Sequence, residues 1–180
     1  LAGNAIMLKP SEQTPLSALA LHDILLRAGM PAGRMAVLVS GSEVGSALVA
    51  DPRVAAVSFT GGPVTADAIA RAAGARKLLM ELGGNNAVLV HEDADVAVAA
   101  AAVGGGAFGV GGQNCLSVQR VYAHASVYEE LLDHVLSATS RLVVGSKADP
   151  QTDVGPLIHE REAMRVAEWV EEAKQAGARV

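Results

Sequence analysis

The chain has 180 residues, 51% hydrophobic but only 3% aromatic, with a net charge of −5 and one cysteine. That size allows one domain or parts of two, with a core of Ala, Val and Leu as in layered α/β proteins. Scattered basic residues argue against a nucleic-acid partner, no apolar run approaches a membrane span, and a lone cysteine cannot close an internal disulfide, so a cytoplasmic location is expected.

Ala5 to Leu8 reads as a strand that starts almost at the first residue. The opening Leu1-Ala2-Gly3-Asn4 carries no basic stretch of the kind that begins a secretory leader. A helix is expected from Pro15 to Ala28, with Thr14 as N-cap and Gly29 closing it. Met35 to Val39 is the next strand, Ser42 to Ala50 a short helix, and Val54 to Thr60 a third strand. Gly61-Gly62-Pro63 then enters a helix from Val64 to Ala73, and Lys77 to Glu81 is a fourth strand. The repeated βα pattern with short links predicts a doubly wound parallel sheet.

After Gly83-Gly84 the pattern restarts, so a domain boundary is placed there: residues 1–83 in one domain and 84–180 in the next. Ala87 to Val90 is a strand, and Asp93 or Asp95 caps an Ala-rich helix expected to stop near Val103. Val118 to Ala123 is a strand, and Ser126-Val127-Tyr128-Glu129 has the pattern of a capping box opening a helix to Ser140. Glu160 to Ala176 is a long amphipathic helix with Trp169 expected in packing, and Ala178-Arg179-Val180 resembles the start of another strand. With both ends expected to cut through structure, a segment of a longer chain is expected.

Two residues stand out chemically. Cys115 follows Gly111-Gly112-Gln113-Asn114, and Glu81 precedes Leu82-Gly83-Gly84. A thiol framed by glycines suits a nucleophile that a substrate must approach closely, and a carboxylate so placed suits a water-activating base. Without that framing, an inert buried thiol and a solvated carboxylate would be the ordinary readings. The loops after successive strands, Lys9-Pro10-Ser11-Glu12, Gly41-Ser42-Glu43-Val44-Gly45 and Thr60-Gly61-Gly62, would lie where open parallel sheets bind ligands. Helix N-termini there offer free N–H groups to phosphates, although no GxGxxG fingerprint is present. The five histidines lack metal-ligand spacing, and helix capping explains His91-Glu92-Asp93-Ala94-Asp95 better than a metal site.

Taken in order, Leu8-Lys9-Pro10-Ser11-Glu12-Gln13-Thr14-Pro15, Ser58-Phe59-Thr60-Gly61, Glu81-Leu82-Gly83-Gly84 and Gly112-Gln113-Asn114-Cys115 resemble the aldehyde dehydrogenase superfamily. The likeness covers essentially the whole chain, including Asp153-Val154-Gly155-Pro156-Leu157. It implies part of an NAD(P)-binding domain followed by the start of a catalytic domain. Cys115 would attack an aldehyde, and Glu81 would activate the water that hydrolyses the resulting thioester. Lys9 and Glu12 would contact the adenosine ribose. Ser42, Gly45, Gly61 and Gly62 would face the adenine and pyrophosphate, and Leu82 and Gly83 would complete the cofactor site. A carboxylate at Glu12 favours NAD over NADP, because it accepts from a ribose hydroxyl and repels a 2′-phosphate.

The sequence departs from the family where Gly62 and Pro63 follow Phe-Thr-Gly in place of a common Ser, and where Asn85-Asn86 replace a frequent Lys. The resemblance also implies that the oxyanion-hole Asn lies upstream of Lys9, and that the nicotinamide-ribose Glu and the oligomerisation segment lie downstream of Val180. The family's dimers or tetramers would then belong to the parent enzyme. Three other readings stay open: a non-catalytic nucleotide-binding or interaction piece, a CoA-acylating variant, and a thiol hydrolase using His124.

Overall fold

A computed structural model describes residues 3–180; Leu1 and Ala2 of the N-terminal segment lie outside it. The elements are β1 (Ile6–Leu8), α1 (Leu16–Arg27), β2 (Met35–Val37), α2 (Ser42–Ala50), β3 (Ala56–Thr60), α3 (Pro63–Ala73) and β4 (Lys77–Glu81), then β5 (Asn86–Val90), α4 (Val96–Phe108), β6 (Val118–Ala123), α5 (Tyr128–Thr139) and α6 (Glu160–Gln175). The chain divides into two units, the first ending at Leu82 and the second starting at Gly83. The fold is α/β, and each named strand pair is parallel: β1 with β2, β3 with β4, and β5 with β6. Each pair is bridged by one helix, as a parallel connection demands. Among the described residues the ladders are two-stranded.

In the first unit, Met35, Val49, Ala66 and Ala73 are buried. Arg76 fastens the helix ends: its guanidinium donates to the carbonyls of Asp51 (2.8 Å) and Val54 (3.4 Å), and to those of Ala72 (3.2 Å) and Ala73 (2.8 Å). These carbonyls lie at the end of α3 and just beyond α2, where no helical N–H remains to satisfy them. Arg53 donates through two nitrogens to the Asp51 carboxylate and holds its pKa down at about 2. α1 closes in a Schellman motif, with Gly29 at φ 92° and the N–H groups of Gly29 and Met30 donating to Leu26 and Leu25.

The second unit is built on Val90, Val96, Ala100, Val127 and Leu131, with Val88, Ala123 and Val135 against them. Asp95 caps α4, its side chain accepting from the Val98 N–H at 3.1 Å. The helix does not stop at Val103. It runs on through Gly104-Gly105-Gly106 to Phe108. A Cβ on Gly104 would stand 3.8 Å from Ala138 and Thr139, and one on Gly106 only 2.7 Å from Val118. Close packing against α5 and the start of β6 therefore outweighs the poor helix propensity of glycine.

Other expectations need correction. Pro15, not Thr14, is the N-cap of α1, and no side chain caps it. The Ser126 capping box does not form: Val127 is the N-cap of α5, and the Ser126 hydroxyl lies 2.8 Å from His124 Nδ1 instead. Trp169 is 59% exposed and stacks beneath the Arg165 guanidinium, 4.4 Å from the ring centroid, on a helix with no buried residue. Residues 178–180 form no strand; the N–H groups of Gly177 and Ala178 close α6 in a second Schellman motif.

Candidate active site

Cys115 is the free thiol of the chain and is exposed. It occupies the tip of a turn. The Ser117 N–H donates to the Asn114 carbonyl at 2.9 Å, and the Leu116 N–H donates to Asn114 Oδ1 at 3.0 Å. Asn114 thus supplies an Asx turn that lifts Cys115 and Leu116 out of the backbone ladder, and Leu116 is 76% exposed. The thiol donates to Asn114 Oδ1 at 3.7 Å. Ser117, only 2% exposed, anchors the far side of the turn, and its hydroxyl has no hydrogen-bond partner among the described residues.

The approach to Cys115 is left-handed backbone. Val110, Gly111 and Gly112 have φ of 55°, 61° and 71°. Glycine adopts this readily, but a β-branched residue there costs about 1–2 kcal/mol. Val110 is 73% exposed, so little packing compensates it. Val110→Gly is expected to raise stability by about 1 kcal/mol, a melting-temperature gain of about 2–4 °C, read in a thermal scan. A fall in melting temperature would mean that Val110 is held by contacts its exposure hides.

The same stretch lines two open clefts. One, of about 210 Å³, lies between Val110, Gly111, Gln113, Asp153, Gly155 and Pro156; the other, of about 550 Å³, includes Lys147, Leu157 and Ile158. The Asp153–Leu157 turn therefore packs beside the residues leading to the thiol. Asp153 fastens that turn, its carboxylate accepting from the Val143 N–H at 2.9 Å.

In the first unit, each candidate cofactor loop follows the carboxyl end of a strand. Lys9 is half-buried; its Nζ donates to the Pro10 carbonyl at 3.2 Å, and its stem runs over Gly45, where a Cβ would stand 3.2 Å from Cδ. The structure brings these two together. Glu12 and Ser42 are exposed and have no side-chain hydrogen bond among the described residues. Gly41 and Gly62 are the N-caps of α2 and α3, with no side chain capping either helix, and the position of a Cβ on Gly62 is open space. Phe59 covers Gly61, so that a Cβ there would meet its ring. The Gly61 N–H donates to the Glu81 carbonyl at 3.0 Å, extending the β3–β4 ladder to the residue that ends β4. Uncapped N–H groups at the starts of α2 and α3, with the Lys9 stem over Gly45 of α2, fit the phosphates of a dinucleotide. Among the described residues no group of three or more His, Cys, Asp or Glu could hold a metal ion, and no helix is long and apolar enough to cross a membrane.

The model of the aldehyde dehydrogenase family matches residues 1–180. The chain belongs to that family. It is 44% identical to a 3-sulfolactaldehyde dehydrogenase of Priestia megaterium over 99% of its own length, and spans 38% of that relative. Lactaldehyde dehydrogenase from Escherichia coli superposes with a TM-score of 0.94 at 34% identity, covering 99% of this chain and 38% of that one. An NAD-dependent aldehyde dehydrogenase from Sinorhizobium meliloti gives 0.92 at 29% identity, with 97% of this chain and 36% of that one covered. This aldehyde dehydrogenase chain therefore corresponds to roughly two fifths of its relatives' length.

Sequence reasoning misses one residue at the site. Asn86 stands out in the sequence only as part of a departure from the family, yet its side-chain nitrogen donates to the Cys115 carbonyl at 2.6 Å and to the Ser117 carbonyl at 3.1 Å. The partners lie 29 and 31 residues away, so no local pattern announces them.

Proposed function

We propose that the chain supplies the cofactor-binding segment (residues 1–83) and the nucleophile-bearing segment (residues 84–180) of a cytoplasmic, NAD(P)-dependent aldehyde dehydrogenase of the hydrolytic type, working as a dimer or tetramer. The exposed thiol of Cys115 on its Asx turn, in a chain of this family, carries the reading. Cys115 Sγ, as the thiolate once its proton has passed to water, attacks the aldehyde carbon to give a thiohemiacetal, whose oxyanion takes a hydrogen bond from the Cys115 N–H. A bound nicotinamide would supply the oxidising chemistry, as the acceptor of a hydride. The thioester left on Cys115 is cleaved by water whose proton passes to the Glu81 carboxylate, releasing a carboxylic acid and the thiol.

Lys9 and Glu12 would hold the adenosine ribose. Ser42, Gly45, Gly61 and Gly62 would hold the adenine and pyrophosphate, with Leu82 and Gly83 beside them. Glu12 favours NAD over NADP by repelling a 2′-phosphate. The relatives' names support an aldehyde substrate, two of them naming aldehydes with an oxygenated or sulfonated chain. The thiol-hydrolase reading has less support, because His124 faces Ser126 through Nδ1 and Glu92 through Nε2, at 2.8 and 3.7 Å.

Intact-mass spectrometry of the full-length protein, quenched during turnover with aldehyde and NAD, tests the proposal. An acyl adduct that requires NAD and maps to Cys115 is expected. An adduct formed equally without NAD, or mapping elsewhere, would overturn it.

A further inference from the structure

We infer that Asn86 and Gly84 form a clamp on the Cys115 peptide, with Asn86 acting as a positioning residue for the nucleophile; this rests on the proposed function and names a further part of the same site. Two observations converge on the Cys115 carbonyl oxygen, and a third ties the same side chain to the next carbonyl but one. The Asn86 side-chain amide donates both its hydrogens, one to Cys115 O at 2.6 Å and one to Ser117 O at 3.1 Å. The opposite amide orientation would set its oxygen against both carbonyls, so the donating one is forced. From another direction Gly84 comes so close that a Cβ would stand 2.0 Å from Cys115 O and 2.8 Å from the Asn86 amide nitrogen. Only a residue without a side chain leaves room for that oxygen.

The surrounding backbone is built to hold the clamp. The β5–β6 ladder pairs Asn86 with Val118 and then Ala87 with Arg120, so the register shifts at Asn86 and Gln119 is the extra residue. Such a bulge re-aims a side chain at a strand end. Arg120 Nη2 donates to the Asn85 carbonyl at 2.9 Å and fastens the same loop to β6. Fixing the carbonyls of residues 115 and 117 fixes the two peptides that flank the exposed tip. The direction in which Cys115 presents its thiol is thereby set while the thiol stays accessible.

The variants Asn86→Asp, near-isosteric but without donors, and Gly84→Ala, which keeps the donors and crowds the oxygen, test the clamp in the full-length protein. Iodoacetamide titration counts the accessible Cys115 thiols, and turnover is expressed per titrated thiol. A group misplaced by about 1 Å loses on the order of 10²-fold in rate. Both variants are therefore expected to lose about 10²-fold in kcat per titrated thiol, with KM for NAD unchanged. Hydrogen exchange at Leu116 and Ser117 should accelerate at least about tenfold. A merely structural role would lower the number of titratable thiols and leave kcat per thiol within about threefold of wild type; that result, or unchanged exchange at both amides, overturns the clamp. If the wild-type protein oxidises no aldehyde, the proposed function fails, and hydrogen exchange alone decides the clamp.

Discussion

Cys115→Ala in the full-length protein is expected to lower aldehyde-dependent NAD reduction by about 10⁴-fold or more, with the affinity for NAD kept within about threefold. The reason is covalent. The reaction as proposed passes through a bond to Sγ, and removing an enzyme's nucleophile costs far more than removing a binding contact. Cys115 is the only cysteine in the chain, so no neighbouring thiol in this segment can take its place. The truncation should also be gentle on the fold. The thiol is exposed at a turn tip, where substitutions usually shift stability by no more than about 0.5 kcal/mol. Stopped-flow absorbance for turnover, calorimetry for NAD and a thermal melt separate the three quantities. Residual turnover above about a tenth of wild type, with the fold intact, would remove Cys115 from the chemistry.

Local rules make the βα order legible. Pro63 opening α3, Asp95 capping α4 and the two glycines closing α1 and α6 act within one turn of their helices, so their signals lie in adjacent letters. Side chains with a second option mislead. Ser126 has the capping pattern, but the neighbouring His124 ring competes for its hydroxyl and wins. The glycines of α4 look like a helix stop until Val118 and Ala138 are known to lie against them. Apolar patterning also overstates burial. Leu79 and Leu89 point from their strands into the open, and the apolar positions of α6 are exposed within this chain.

The site divides in the same way. Cys115, Glu81 and the cofactor loops are marked by glycines and strand ends, which are local features. Gly84 is visible as part of a motif, but not what it is for. Its near contact with the Cys115 carbonyl exists only once β5 and β6 are paired, and the Asn86 bonds depend on the register shift in that pairing. A reader of letters can see that a backbone must come close. Which carbonyl it approaches is a property of the fold.

Glu81→Gln is expected to leave the first hydride transfer intact and to block hydrolysis of the thioester. Mixing the variant with aldehyde and NAD should give a burst of about one reduced dinucleotide per Cys115. Steady-state turnover should then be about 10²–10⁴-fold below wild type, the range a positioned general base contributes. Glutamine keeps the shape of the side chain and loses only the capacity to take a proton. Little structure is at stake: Glu81 is exposed, its carbonyl and not its carboxylate is bonded to Gly61, and the carboxylate has no ion pair among the described residues. The stalled species should be a thioester visible as an acyl mass on Cys115. Hydroxylamine, which attacks a thioester without help from a base, should discharge that species and restore turnover. Undiminished steady-state turnover in the variant would refute the assignment of Glu81. Wild-type turnover that accelerates severalfold on adding coenzyme A would instead favour acyl transfer to a thiol, because water would then no longer be the acceptor that Glu81 serves.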